Sequence, residues 1–194
     1  MICLHISISS QWYLLFVNFI FVKNSKVVLI KGQGVSSDWE AELNASLPLE
    51  DRVQAVIDFA QEHHLENLIA VDNTASADFA LEYPRLVEAG FDLVSSNKIG
   101  NTISYEFYSD LRQKLKENKK KYLYETNVGA GLPLIDTINL LHHSGESITR
   151  IKGVFSGSLS YLFNTFSNED RLFSEILQEA IDKGFTEPDP REDL

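Results

Sequence analysis

The sequence predicts an α/β protein built on a doubly wound parallel sheet. Short apolar runs of strand type alternate with segments whose apolar residues fall at helical spacing. Three of the strand runs end on polar tails: Asp72-Asn73-Thr74, Ser95-Ser96-Asn97-Lys98 and Glu125-Thr126-Asn127. The chain has 194 residues, 44% of them hydrophobic, enough to bury a core without disulfide or metal staples. Parallel strands need crossovers, and right-handed β-α-β units put helices on both faces of the sheet.

The elements follow in chain order. Residues 12–22 are dense in aromatic and β-branched side chains, which suits a buried strand. A membrane anchor is the alternative, but the run is short of the roughly 20 residues a spanning helix needs. A secretory leader is a poor fit, since residues 1–11 hold no Lys or Arg and Lys23-Asn24-Ser25-Lys26 is no cleavage site. Residues 1–12 have no assigned place. Val27-Val28-Leu29-Ile30 is a second apolar run, and residues 32–46 read as a loop with a short helix near Trp39. Val53, Val56, Ile57 and Ala60 mark a helix ending near His63-His64. Leu68-Ile69-Ala70-Val71 is a strand. Ser76 caps a helix carrying Phe79, Leu81, Tyr83, Leu86 and Val87 and closed by Gly90. Asp92-Leu93-Val94-Ser95 is a strand, 104–118 a helix, and Tyr122-Leu123-Tyr124-Glu125 a further strand.

After Asn127 the texture changes. Val128-Gly129-Ala130-Gly131-Leu132-Pro133 is a glycine-rich turn, with Pro133 opening a helix through Leu134, Ile138 and Leu141. Ile148, Ile151, Val154 and Phe155 suit a strand, and an apolar segment covers 159–166. A helix from Phe173 to Ile181 is closed by Gly184, and 186–194 form an acidic loop stiffened by proline. Two domains follow, 1–130 and 131–194.

The formal charge of −11, from 17 Lys+Arg and 28 Asp+Glu, argues against nucleic acid or an anionic membrane as partner. A single cysteine, Cys3, excludes an internal disulfide and a cysteine zinc site, so a reducing cytoplasm is the default compartment. The pairs His63-His64 and His142-His143 do not make a metal site, because adjacent helical residues face apart. Gly32-x-Gly34 is no dinucleotide fingerprint, since Ser37 holds the third glycine position.

In an open α/β sheet, ligands bind beyond the carboxyl ends of the strands, so the three polar tails mark the edge where chemistry is expected. Five stretches there and beyond resemble homoserine dehydrogenase in order and spacing. They are Val71-Asp72-Asn73-Thr74-Ala75-Ser76, Ser96-Asn97-Lys98, the run from Tyr124 to Pro133, the run from Phe155 to Asn164, and the run from Gly184 to Leu194. The likeness is strongest to the dehydrogenase part of bifunctional aspartokinase–homoserine dehydrogenases and covers residues 65–194.

The resemblance implies a partial Rossmann-like sheet followed by the start of an α+β substrate and dimerisation domain. It also implies NADP- or NAD-dependent hydride transfer between aspartate β-semialdehyde and homoserine, in threonine and methionine biosynthesis. Lys98 is then the catalytic group, bonding or protonating the reacting oxygen, where position alone reads it as a solvated turn lysine. Thr74 and Asn97, with Lys98, face the cofactor, although both can equally cap their own turns. A sodium ion is implied at the Glu125 side chain and the carbonyls of Val128, Ala130 and Leu132, against a plain glycine turn. Glu187 is implied to bind the substrate's α-ammonium group. Lys23, at a strand end, tips the preference toward NADP. The partners implied are a small-molecule substrate and a second copy of the chain.

Two departures from the family stand out. No G-x-G-x-x-G turn follows a first strand, and the helix expected to supply an aspartate and a second lysine is not in the sequence. The expectation is therefore a piece of the enzyme, truncated at both ends and inactive alone. The alternative is an inactive fragment that keeps only a dimerisation surface around 148–166.

Overall fold

The computed structural model describes residues 2–8, 15–23, 27–153, 156–186 and 189–192. The chain divides into two compact units, Met1–Asn127 and Val128–Leu194.

The first unit holds a six-stranded sheet. Its strands are β1 (Ile2–Ile8), β2 (Leu15–Lys23), β3 (Val28–Ile30), β4 (Leu68–Asp72), β5 (Phe91–Ser95) and β6 (Tyr122–Leu123), in the spatial order β3-β2-β1-β4-β5-β6. From β4 to β6 all pairing is parallel, with Leu68 opposite Phe91 and Leu93 opposite Tyr122. The other half is antiparallel: β1 pairs with β2 and with β4, and β2 with β3. The reason is chain length. The links from β1 to β2 and from β2 to β3 are far shorter than the dozen or so residues a parallel crossover takes. Residues 2–8, which had no assigned place, thus lie inside the sheet, and most of the apolar run at 12–22 is strand β2.

Helices α1 (Trp39–Ala45), α2 (Arg52–Glu62), α3 (Ala77–Ala80), α4 (Tyr83–Glu88) and α5 (Tyr105–Glu117) belong to this unit. The inward face of α2 carries Val53, Val56, Ile57 and Ala60, all buried, and Asp51 caps it by accepting the Gln54 N–H at 2.8 Å. The single helix expected from Ser76 to Gly90 is two short ones. Ser76 caps the first through the Phe79 N–H, and Pro84 sits in the first turn of the second. Pro84 is the local signal for that second start. The core joins Phe21, Val56, Leu86, Val87, Phe91 and Leu111 across sheet and helices, each burial contributing about 1.5–3 kcal/mol.

Strand β6 is shorter than expected. It keeps Tyr122 and Leu123, and Glu125–Asn127 turn into a 3-10 helix.

The second unit holds α6 (Leu134–His143), α7 (Gly157–Asn168) and α8 (Phe173–Asp182). Leu162, Ile176 and Ala180 form its buried core, with Tyr161, Phe173 and Leu177 packed around them. Segment 159–166 is thus helical. The strand expected near Ile148 and Ile151 does not form: residues 146–153 have no regular structure, and Val154 and Phe155 lie outside the described residues. Among the described residues of this unit there is no strand for them to pair with, so they have no ladder to join. No described helix is long and apolar enough to cross a membrane.

Candidate active site

The three polar tails do converge. Strands β4, β5 and β6 run parallel, so their carboxyl ends share one edge. The Ser96 N–H donates to the Asp72 carbonyl at 3.0 Å, and the Ser96 hydroxyl to Asn73 Oδ1 at 3.2 Å, which ties the first tail to the second. Asn127 Nδ2 donates to the Asn97 carbonyl at 3.3 Å, which ties in the third.

Behind this edge lies a buried polar cluster. Asp72 is 2% exposed, Ser95 and Asn97 3%, and Tyr83 1%. Asp72 Oδ1 accepts the Thr74 N–H at 2.9 Å. Its Oδ2 accepts the Tyr83 hydroxyl at 2.6 Å and Asn97 Nδ2 at 3.0 Å. The Tyr83 oxygen also lies 2.8 Å from Ser95 Oγ, and Ser95 Oγ accepts the Asn97 N–H at 2.9 Å. Burial, and then the bond to the Asp72 carboxylate, push the Tyr83 hydroxyl far above the usual phenol range, so it remains a donor. Burial likewise raises Tyr122.

Asn97 is fully committed to this scaffold. Its Nδ2 also donates to the Ser76 carbonyl at 3.1 Å, and its Oδ1 accepts the Ile99 N–H at 3.1 Å, capping the 3-10 turn Lys98–Asn101. Lys98 opens that turn and is exposed at the edge. Thr74 is half-buried, and its Oγ1 accepts the Ser76 N–H at 3.2 Å, so it does cap its own turn while keeping a hydroxyl proton to donate.

Gly100 explains how close the turn can sit. A Cβ there would lie 2.6 Å from Tyr83 Cε2 and 2.9 Å from the Tyr122 hydroxyl. Farther along, the Arg112 guanidinium of α5 stacks over Tyr108, Tyr122 and Tyr124 at 4.5, 5.2 and 5.0 Å and donates to Asn101 Oδ1 at 2.9 Å. This pins the far end of the Lys98 turn.

Sequence reasoning expected Lys98, Asn97 and Thr74 at this edge, where the structure has them, but did not single out Asp72, Tyr83, Ser95 and Gly100. The signal for Asp72 was present: a carboxylate ending an apolar strand must find donors when buried. Tyr83 read only as part of an apolar helix face.

The other expected site residues fall elsewhere. Glu125 opens the 3-10 helix that ends the first unit. Val128, Ala130 and Leu132 begin the second, in a turn where Gly129 and Ala130 both have positive φ, 73° and 51°. The Leu132 N–H closes it on the Gly129 carbonyl at 3.0 Å. A Cβ on Gly129 would lie 2.5 Å from Leu134 Cδ1, so the turn requires glycine there. Among the described residues no group of three or more His, Cys, Asp or Glu side chains is placed to hold a metal ion. Glu187 lies outside the described residues, as does the Lys23 side chain.

A cleft of about 560 Å³ opens between the starts of α2 and α3, beside Ser76 and Phe79. Glu50, Asp51, Asp78 and Glu82 line it. Arg85 pairs with Asp51 at 2.7 Å and Glu82 at 3.0 Å, and its bonds hold the Asp51 carboxyl below the usual range. Arg52 lines it too, so four carboxylates stand there against one guanidinium, a balance that disfavours the phosphates of a dinucleotide.

For a nicotinamide cofactor the residues fit at one end. The Thr74 hydroxyl and the Lys98 amine suit a nicotinamide and its ribose, while no G-x-G-x-x-G turn occurs in the sequence to take the diphosphate.

A part-parallel sheet, with strand-end side chains gathered at its carboxyl edge, defines the class as an α/β domain of nucleotide-binding type. Residues 17–125 match the model of the homoserine dehydrogenase NAD binding domain, and 133–194 match the homoserine dehydrogenase model. The chain belongs to the homoserine dehydrogenase family. It is 39% identical to a bifunctional aspartokinase/homoserine dehydrogenase of Haemophilus influenzae, over 89% of this chain and 21% of that one. It is 41% identical to a homoserine dehydrogenase of Emericella nidulans, over 65% of this chain and 35% of that one. A Candida auris protein of unknown function superposes with a TM-score of 0.77 at 28% identity, over 91% of this chain and 51% of that one. A hyperthermophilic archaeal homoserine dehydrogenase in complex with NADPH superposes at 0.69 with 23% identity, over 90% and 54%, a likeness of fold. The chain thus spans about a fifth of the bifunctional relatives and about half of these solved structures.

Proposed function

We propose that the chain carries part of a homoserine dehydrogenase active site. The reaction is NADP- or NAD-dependent hydride transfer between aspartate β-semialdehyde and homoserine, a step of threonine and methionine biosynthesis in the cytoplasm. The observation that carries this reading is the exposed Lys98 on a turn anchored to a buried carboxylate, at the carboxyl edge of a family-matched sheet. When bound, the nicotinamide supplies or accepts the hydride.

The residues divide the remaining work. The Lys98 amine hydrogen-bonds the aldehyde oxygen and protonates it as charge builds there. Thr74 donates its hydroxyl to the nicotinamide or ribose. Asn97 serves the cofactor site by holding the Lys98 turn in place, its side chain and its N–H being already committed. Glu187 binds the α-ammonium group of homoserine. Glu125, with the carbonyls of Val128, Ala130 and Leu132, forms an oxygen set for a sodium ion. Lys23 at the end of β2 favours NADP. Residues 1–130 form the nucleotide-binding domain, and 131–194 begin the substrate domain and a homodimer face around 148–166.

The test is Lys98→Ala in a chain of full family length carrying these residues. Turnover falls by about 100-fold or more while NADPH affinity stays close to that of the parent. Near-normal turnover removes Lys98 from the chemistry.

One observation favours a second reading, an inactive piece that keeps an interaction surface. Strand β1 runs antiparallel to β4, and no glycine-rich phosphate turn follows it. Sedimentation with and without NADPH separates the two: a stable dimer that binds no NADPH supports the second.

A further inference from the structure

Four buried residues close a ring of hydrogen bonds behind the Lys98 turn. The Asn97 N–H donates to Ser95 Oγ, Ser95 Oγ lies 2.8 Å from the Tyr83 oxygen, the Tyr83 hydroxyl donates to Asp72 Oδ2, and Asp72 Oδ2 accepts Asn97 Nδ2. The proton directions follow from the donors. Asn97 N–H and Nδ2–H can only donate. Tyr83 has one proton and gives it to Asp72. With Tyr83's proton on Asp72, the Ser95 hydroxyl proton meets the Tyr83 oxygen at 2.8 Å, its shorter contact, against 3.4 Å to the Asn97 carbonyl, and its free lone pair takes the Asn97 N–H. Every bond then runs toward one carboxylate oxygen, and bonds chained in this way strengthen one another.

The ring's position is what matters. It enters and leaves through Asn97, the residue just before Lys98. The Asn97 Oδ1 holds the N–H of Ile99, the residue just after. The ring of Tyr83 also lies where a Cβ on Gly100 would be. The backbone on both sides of Lys98 is thus referred to one side chain from another element, α4.

We propose that Tyr83 is a positioning residue, whose hydroxyl locks the Asn97–Lys98 turn and so sets the direction of the Lys98 amine. This rests on the role given to Lys98 above. A phenylalanine at position 83 would fill the same space without this directed polar contact.

The experiment uses the full chain and its Tyr83→Phe variant, which keeps the packed ring and deletes the hydroxyl. Amide exchange is followed by NMR at Asn97 Nδ2, Asn97 N and Ile99 N, and the acetylation rate of the Lys98 amine by mass spectrometry, with Lys116 as internal reference. Exchange at the three Asn97 and Ile99 groups rises about tenfold, and Lys98 acetylation changes against Lys116. Leu111→Ala is the control, a core truncation outside the ring that lowers the melting temperature at least as much. It leaves these readouts within about twofold of the parent. Ser95→Ala breaks the same ring at another link, and gives the same release should Tyr83→Phe not fold.

Unchanged exchange in Tyr83→Phe, or in Ser95→Ala if that alone folds, overturns the proposal. So does an equal rise in Leu111→Ala, which would make the effect one of global stability. A non-catalytic Lys98 would show in the turnover of Lys98→Ala and leave this exchange pattern intact, so the two failures are distinguishable.

Discussion

The Tyr83 hydroxyl and Asp72 Oδ2 stand 2.6 Å apart at the carboxyl edge of the sheet, both almost wholly buried. The other groups that meet this carboxylate are the Thr74 N–H and the Asn97 amide. Asp72→Asn replaces one acceptor oxygen by a donor, and in either orientation that donor faces another donor. The variant loses about 1–3 kcal/mol, the cost of a buried group left without its partner. Urea unfolding shows this as a lower midpoint at unchanged slope.

Gly100→Ala tests how tightly the Lys98 turn is seated. The added methyl meets the Tyr83 ring at 2.6 Å and the Tyr122 hydroxyl at 2.9 Å, and both rings are buried. Overpacking of this kind costs about 1–3 kcal/mol and displaces the turn. Thermal unfolding reads the loss, and near-ultraviolet circular dichroism reads the altered tyrosine packing.

Arg112 is held by geometry that lysine does not reproduce. Its planar guanidinium stacks on three tyrosine rings and bonds Asn101. Arg112→Lys is therefore destabilising by about 1 kcal/mol, although the charge is kept. A midpoint equal to that of the parent contradicts the stacking.

The second unit has a pH signature. Bonds from Lys183, Tyr161 and Arg171 hold the Glu179 carboxyl down from its usual 4.5 to about 2. A carboxyl depressed in the folded state adds stability that is complete above the unfolded value and is lost as pH falls through the folded one. Stability of the α7–α8 pair accordingly declines between pH 4.5 and about 2. Glu179→Gln flattens that part of the profile, as followed by fluorescence of the tyrosines during acid titration.

Local chemistry made much of this legible. Ser76 was readable as a cap because its hydroxyl answers to a backbone N–H three residues on. The three polar tails were readable because a parallel sheet must bring its strand ends together. What escaped was decided by distance in sequence. Tyr83 finds Asp72 and Ser95 eleven and twelve residues away, on two strands, while its own neighbours describe only an apolar helix face. Residues 2–8 form an interior strand because β2 and β4 offer open ladders on either side, which no pattern within those seven residues records. Tyr124 leaves β6 to join the stack over Arg112.

The most direct measurement is a titration of the full chain with NADPH, followed residue by residue in its amide NMR spectrum. Saturable shifts at Thr74, Lys98 and Ile99 are expected, since the proposed site puts the nicotinamide end against the edge these residues build. Saturation that leaves those three signals where they began, with shifts only around the acidic cleft at Asp51 and Asp78, contradicts the placement of the reaction at Lys98.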